Sequence, residues 1–148
     1  MKYDRIIVAI DQPSKENSTR LLDRAIILAQ HTNSPIHLVY VVPSQTRAAV
    51  AMGPNANAVG IGLALEVMDK EVKNECDVFL KHHEAIPNEI KTTSEVHKGD
   101  PGKILSSISN PNDLMILGKT EKNAFDRLTA GSVTKDVVAK SKGEIMMV

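Results

Sequence analysis

Apolar positions along this chain follow two patterns, short unbroken runs and stripes at three- and four-residue steps. The short runs are rich in β-branched residues and predict five strands: Arg5–Ile10, Ile36–Val42, Ile90–Lys98, Leu114–Leu117 and Glu144–Val148. The stripes predict four helices: Ser18–His31, about Leu63–His83, one that opens at Pro101, and Ser132 to about Lys140. This alternation predicts a single doubly wound α/β domain over residues 1–148, with a five-stranded parallel sheet.

The predicted strands differ in polarity. Leu114–Leu117 is wholly apolar, as a parallel strand covered on both faces should be, whereas Ile90–Lys98 alternates with polar residues and looks like an edge strand. After that edge strand, Asp100 is placed to cap a helix and Pro101 takes the favoured first helical position. The last helix is expected to carry three apolar residues on one side: Val133, Val137 and Val138.

The segment Gln45–Gly62 is small, apolar and interrupted by glycine. Two interpretations stay open, a mobile lid over a ligand and a long surface insertion, and the insertion is favoured. Because few of its residues could anchor it, we expect it to be poorly ordered without a partner.

Composition excludes several classes of protein. The chain has 18 basic and 18 acidic residues, 3% aromatic residues and no Trp, which argues against nucleic-acid binding by a basic surface or a base-stacking platform. No apolar run reaches the length of a membrane span, and Met1 leads directly into a strand rather than a signal-peptide core. Cys76 is the only cysteine, so no internal disulfide can form. We expect a cytoplasmic protein without a membrane partner.

Two helical positions could suggest chemistry. Cys76 lies on the apolar stripe of its helix, which favours a packed thiol over a nucleophile. His82 and His83 are adjacent and therefore point to different sides of a helix, and no carboxylate or Cys pattern completes a metal site around them. Neither position predicts catalysis or metal binding.

The better ligand candidates follow the strands. Asp11 comes directly after the first strand, where α/β folds hold ligands, although a turn or helix-cap role remains the alternative. Gly118 ends the fourth strand at a sharp turn, and Gly131-Ser132 opens a helix. The unpaired N–H groups and positive dipole of a helix start favour a phosphate.

Four features in order give this chain a strong resemblance to the universal stress proteins over essentially its whole length. They are a strand ending at Asp11 before a polar loop and helix, the strand end Tyr40-Val41-Val42-Pro43, the helix opening Gly99-Asp100-Pro101, and the spacing Gly118-x2-Glu121-x9-Gly131-Ser132. The nucleotide-binding branch of that family has Gly-x2-Gly-x9-Gly-Ser/Thr at the last of these.

The resemblance implies a Rossmann-like, adenine nucleotide alpha-hydrolase-like fold that binds ATP at the strand ends. Asp11 would lie beside the adenosine end, and the backbone at Val41 would meet the adenine. The remaining residues would hold the ribose and phosphates: Gly118, Lys119, Thr120, Lys122, Gly131, Ser132 and Val133. Family members commonly form homodimers by pairing their last strands, here Ile145–Val148, whose free edge is apolar.

Glu121 departs from the family pattern, since it replaces the second glycine of the phosphate loop. If the backbone there is left-handed, a side chain costs about 1–2 kcal/mol, and a carboxylate about 4 Å from a phosphate adds roughly 1 to 4 kcal/mol. Opposing this, Lys119, Lys122 and Arg127 could neutralise phosphates. Two alternatives are that Glu121 points into water or holds a divalent cation such as Mg²⁺.

Three functions follow. The first is a regulatory or sensor protein of the stress response that holds ATP and hydrolyses it slowly at most, because no His-carboxylate dyad or acid pair near the loop suggests a general base. The second, motivated by Glu121, is a dimeric scaffold that has lost nucleotide binding. The third is an enzyme on the same scaffold, which a fold alone cannot exclude.

Overall fold

A computed structural model describes residues 2–43, 58–119 and 132–148, with backbone alone for 43, 58–69 and 132–134. Within these residues five strands alternate with four helices. The strands are β1 (Ile6–Ile10), β2 (Ile36–Pro43), β3 (Thr92–Gly99), β4 (Leu114–Leu117) and β5 (Glu144–Met147). The helices are α1 (Glu16–Thr32), α2 (Ala58–Glu84), α3 (Pro101–Ile108) and α4 (Ser132–Lys140). The predicted α/β fold is confirmed.

All strands run parallel, in the order β3-β2-β1-β4-β5. The chain builds outward from β1 through β2 to β3, and then returns to place β4 on the other side of β1. The strand order therefore reverses between β1 and β4. In open α/β sheets, such a switch point is where ligands bind, outside the carboxyl ends of the strands.

Each face of the sheet has its own apolar layer, because successive strand residues point to opposite sides. One layer joins Val8, Leu38 and Ile116 to buried residues of α1 and to Phe79 of α2. The other joins Ala9, Val41 and Leu117 to Leu105 of α3 and Val137 of α4. Every residue of β1 and β4 is buried, so these central strands read as continuous apolar runs in the sequence.

The edge prediction for β3 is confirmed, since it pairs with β2 alone and alternates between half-buried and exposed residues. The Asp100 cap is also confirmed: Asp100 Oδ1 accepts a hydrogen bond from the N–H of Lys103 at 3.1 Å, with Pro101 at the helix start. Gly99 turns the chain from β3 into α3 with a φ of 140°, a conformation that residues with a side chain rarely adopt.

Two sequence predictions were wrong. Helix α2 begins at Ala58, five residues before the predicted start near Leu63, so the end of the predicted loop Gln45–Gly62 is helical. Glycines suggested a loop there, but a helix of 27 residues tolerates them at roughly 1 kcal/mol each. The rest of that loop lies outside the described residues.

The second wrong prediction concerns the apolar side of α4. Val137 is fully buried but Val138 is 60% exposed, because the helix turns by 100° per residue and only a narrow stripe faces α3 and the sheet.

The amino edge of the sheet is fixed by a buried carboxylate. Asp113, 1% exposed, accepts hydrogen bonds at Oδ2 from Arg5 Nε at 3.0 Å and from the N–H of Asn110 at 2.9 Å. Arg5 also donates to the carbonyl of Ile108. These contacts join the entries of β1 and β4 to the end of α3, at the opposite end of the sheet from the switch point.

Within the described ranges, no helix has both the length and the hydrophobicity to cross a membrane.

Candidate functional site

The strand register brings three predicted site residues to one edge of the sheet. Ile10 of β1 lies opposite Tyr40 of β2, and Ala9 lies opposite Leu117 of β4. Asp11 follows Ile10 at the end of β1, Val41 follows Tyr40 in β2, and Gly118 follows Leu117 at the end of β4. These three follow one another across β2, β1 and β4, on both sides of the point where the strand order reverses. The sequence could place each at a strand end, and the register makes them neighbours.

Asp11 is exposed and opens the loop between β1 and α1. The helix-cap alternative for Asp11 is wrong, because the residue at the cap position of α1 is Lys15, and its side chain makes no capping hydrogen bond. Inside the loop, Gln12 accepts at its carbonyl from the N–H of Lys15 at 3.0 Å and from Ser18 Oγ at 2.8 Å. These bonds hold the loop in a compact turn and leave the Asp11 carboxylate at its solvent side.

Val41 combines a buried side chain with a backbone at the ligand edge. It is 7% exposed and packs in the apolar layer beneath α3 and α4. The ladder between β1 and β2 ends at Tyr40, so Val41 pairs only with His97 of β3. Its main chain on the β1 side therefore borders the loop that starts at Asp11.

Gly118 lies where a side chain would meet the first turn of α1. A Cβ placed on it would lie 2.5 Å from Nδ2 of Asn17 in the first turn of α1 and 3.6 Å from Cδ1 of Leu21. The absence of a side chain lets the start of α1 approach the end of β4. Because α1, α3 and α4 each follow the carboxyl end of a strand, their N-termini and the positive ends of their dipoles lie at this edge of the sheet.

Lys119 can donate to an anion only through its side chain, because its backbone N–H is already bonded. Its N–H donates to the carbonyl of Val148 at 2.7 Å, and the N–H of Val148 donates to the carbonyl of Leu117 at 2.9 Å. This amide therefore continues the pairing of β4 with the chain end and is already occupied. The ammonium group lies on an exposed side chain and remains a candidate for an anion.

The rest of the predicted phosphate loop falls mostly outside the described residues. This applies to Thr120, Lys122 and Gly131, and to Glu121. Ser132 and Val133 form the first turn of α4, so the predicted helix start is confirmed as backbone. The contribution of these residues to a ligand stays a prediction.

A buried phenol lies beneath the site. Tyr40 is 3% exposed and packs against Phe79 of α2, with ring centroids 5.8 Å apart. Burial, together with the negative charges of Glu75 and, more weakly, Asp11, raises the pKa of Tyr40 to about 12. Tyr40 is therefore neutral at physiological pH, and both carboxylates lie within electrostatic range of its ring. Tyr40 belongs to the strand-end pattern of β2, but its contact with Phe79 and its proximity to Glu75 depend on how α2 packs over β2, which the sequence does not indicate.

The singled-out residues of α2 make structural contacts. His82 Nε2 lies 2.6 Å from the carbonyl oxygen of Pro13, whereas His83 Nδ1 contacts Ser94 Oγ on β3, so the two rings turn to different elements. Cys76 is half-buried against the apolar layer, and burial raises the pKa of its thiol, as a packed cysteine should show. Among side chains in the described ranges, no three His, Cys, Asp or Glu residues are grouped to hold a metal ion.

A second polar cluster connects β2 and β3. His37 is 5% exposed, with Nδ1 2.6 Å from Thr93 Oγ1 and Nε2 3.5 Å from Glu95 Oε2. The same Glu95 oxygen lies 2.8 Å from Nε2 of His97, the residue paired with Val41. Burial lowers the pKa of His37, whereas the hydrogen bond from His97 is the main reason that the pKa of Glu95 is lowered. Sequence reasoning missed this cluster, because its members are 56 and 58 residues apart in the chain.

Comparison with known proteins defines the class. A model of the universal stress protein family matches residues 2–148, so this chain belongs to that family. Universal stress protein UspA from Lactobacillus plantarum is 20% identical, with a TM-score of 0.73 over 100% of this chain and 99% of that one. No curated protein sequence matches.

Two further solved structures carry nucleotides. A universal stress protein in complex with cAMP is 16% identical, with a TM-score of 0.61 over 100% of this chain and 98% of that one. The universal stress protein from Archaeoglobus fulgidus in complex with dAMP is 18% identical, with a TM-score of 0.51 over 99% and 98%. At these identities the structures establish the shared fold, a Rossmann-like α/β domain with a five-stranded parallel sheet.

Proposed function

We propose that this protein binds ATP at the carboxyl edge of its sheet and acts in the cytoplasm as a regulatory or sensor protein of the stress response. The observation that carries this proposal is the meeting of Asp11, Val41 and Gly118 at the switch point. The binding of cAMP and dAMP by two relatives supports an adenine nucleotide as the ligand class.

Each residue has a defined role in the proposed site. Asp11 lies at the adenosine end, where its carboxylate can accept hydrogen bonds from ribose hydroxyls, and the main chain of Val41 meets the adenine. Gly118 leaves space between β4 and α1, where a side chain would collide with Asn17. The phosphates lie against the start of α4 and the following groups: Lys119, Thr120, Lys122, Gly131, Ser132 and Val133. Mg²⁺ is the ion expected to accompany the phosphates.

The proposed activity is binding, with hydrolysis slow at most. Asp11 is assigned to the adenosine end of the ligand and so would not lie beside the phosphates as a base for the attacking water. Turnover of ATP should therefore stay below about 1 per second, the lower end of ordinary enzyme rates.

The protein should form a homodimer by pairing of the strand Ile145–Val148 with its copy, because β5 is an edge of the sheet.

A dimeric scaffold without nucleotide is the second candidate. Two observations favour it: Glu121 introduces a carboxylate into the phosphate loop, and the N–H of Lys119 is already bonded to Val148. The first would add negative charge beside the phosphates, and the second leaves one N–H fewer to donate to them.

Calorimetric titration with ATP separates these candidates. The nucleotide-binding function requires saturable binding by the wild type with a Kd on the order of micromolar, strengthened by Glu121→Gly. Binding by the Gly variant alone would establish the scaffold, and no binding by either protein would refute the nucleotide site. Mass spectrometry of denatured protein, purified without added nucleotide, provides an independent check for a retained ligand.

A further inference from the structure

Helix α2 holds the loop that carries Asp11. Glu75 of α2 accepts two hydrogen bonds from Ser14, one from the N–H to Oε2 at 3.0 Å and one from Oγ to Oε1. Both carboxylate oxygens are thus directed to a single loop residue, 61 positions earlier in the chain. Hydrogen bonds to a charged acceptor are stronger than those between neutral groups.

A second contact lies two turns farther along the same helix. His82 Nε2 is 2.6 Å from the carbonyl oxygen of Pro13. Since a carbonyl only accepts, the His82 ring must carry its proton on Nε2 in this contact. Pro13 is fully buried beneath the loop. Glu75 and His82 are seven residues apart and lie on one face of α2. They form hydrogen bonds with two consecutive loop residues, Ser14 and Pro13.

The loop has another set of hydrogen bonds, at the carbonyl of Gln12, which accepts from the N–H of Lys15 and from Ser18 Oγ in the first turn of α1. Four of its five residues are exposed: Asp11, Gln12, Ser14 and Lys15. Helix α1 does not fix the loop by a side-chain cap, because Lys15 occupies that position without a capping bond. The position of Asp11, three residues before Ser14, therefore depends on the contacts with α2 together with the bonds to the Gln12 carbonyl.

We propose that Glu75, assisted by His82, is a positioning residue for the nucleotide site, which fixes the β1–α1 loop so that the Asp11 carboxylate faces the adenosine end of the ligand. This inference rests on the proposed function. It assigns a role to α2, which no part of the family motif includes.

The test is a double-mutant cycle in the full-length protein, with ATP titrated calorimetrically into wild type, Glu75→Ala, Asp11→Ala and the double variant. We expect Glu75→Ala to weaken ATP binding between about threefold and tenfold, the range of coupling between residues that share a network. Loss of a carboxylate by itself favours an anion, so weaker binding cannot be a charge effect. In the Asp11→Ala background, Glu75→Ala should change the affinity by less than about twofold.

Asp77→Ala is the matched control, because it removes the same charge from the same helix at an exposed position on another face. It should leave ATP affinity unchanged. Ser14→Ala removes one of the two bonds from the loop side and should cause a smaller loss than Glu75→Ala. It also keeps the test valid if Glu75→Ala unfolds, since Ser14 is exposed and α2 stays intact.

A second readout needs no nucleotide. Hydrogen exchange of the peptide spanning residues 11–18 should become faster in Glu75→Ala and stay unchanged in Asp77→Ala. Unchanged exchange, or equal losses of affinity with and without Asp11, would overturn the positioning role while leaving ATP binding in place. Absence of ATP binding by the wild type would instead refute the proposed function, and with it the role of Glu75 in that site.

Discussion

Replacement of Gly143 by alanine tests how tightly the last strand is fitted to the domain. A Cβ at this position would lie 2.4 Å from the carbonyl oxygen of Asp113 and 2.6 Å from that of Asn110. Both distances are far below van der Waals contact, and both atoms are main chain, so no side-chain rotation can relieve them. The carbonyls are also engaged, with Asp113 accepting from the N–H of Glu144 at 3.0 Å and Asn110 from that of Asp113 at 3.1 Å.

The expected loss is at least about 3 kcal/mol of unfolding free energy. Overpacking of a tight site costs about 1–3 kcal/mol when side chains can adjust. Here the adjustment must move backbone, and each hydrogen bond that is broken adds about 1 kcal/mol. The stabilising effect of Gly→Ala on the unfolded chain is only about 0.4–1 kcal/mol and does not reverse the sign. Against a typical total of about 5–15 kcal/mol, the variant should be severely destabilised.

Urea unfolding followed by far-UV circular dichroism measures this change. Gly102→Ala is the matched control: its Cβ would lie 3.0 Å from Oδ2 and 3.1 Å from Cβ of Asp136, so the neighbour needs to shift by only a few tenths of an ångström and no main-chain atom is struck. Alanine is also favoured over glycine in a helix by about 1 kcal/mol, so this control should remain within about 1 kcal/mol of wild type. A loss below about 1 kcal/mol for Gly143→Ala, or equal losses for both variants, would refute the packing argument.

Three further outcomes follow from the described contacts. Asp113→Ala leaves the Arg5 guanidinium without its buried acceptor and should cost about 3 kcal/mol in urea unfolding, and a loss near zero would contradict the importance of this ion pair. Because burial lowers the pKa of His37 from 6.5, the unfolded state binds more protons than the folded state just below that pH, and stability should fall as the pH drops through 6.5. His37→Gln should flatten this part of the plot of unfolding free energy against pH. An unchanged slope would exclude His37 as the source of the pH dependence. If two copies pair through β5, the wild type should sediment as a dimer at micromolar concentration. A monomeric wild type whose last strand is nevertheless protected from exchange would disprove this pairing.

The secondary structure was largely readable from the sequence because it depends on local periodicity. Continuous apolar runs predicted β1 and β4, which are buried on both faces, and the Asp100-Pro101 pair predicted the start of α3. Local signals failed where long-range packing decided the outcome. The start of α2 was misjudged because its glycines resemble a loop signal, and Val138 was assigned to the core because neighbouring valines do not reveal how narrow the buried stripe is.

The candidate site was predictable only in part for the same reason. Asp11, Val41 and Gly118 could be placed at strand ends, since the carboxyl end of a strand is a local feature. Their proximity follows from the strand order and register, which join residues about 30 and 107 positions apart. The contacts of Glu75 with Ser14 and the occupied N–H of Lys119 depend on how one element lies against another, and no residue pattern indicates them.

The sequence by itself determined the order of strands and helices, the buried central strands β1 and β4, and the polar residues at the strand ends, because each depends on residues within a few positions of one another. Only the tertiary structure decided that β4 lies beside β1 and that Glu75 of α2 bonds to the loop of Asp11. It also decided that the N–H of Lys119 donates to the carbonyl of Val148. The physical reason is that these arrangements minimise free energy over the whole packed domain, where the partners of each polar group are chosen among all surfaces that meet.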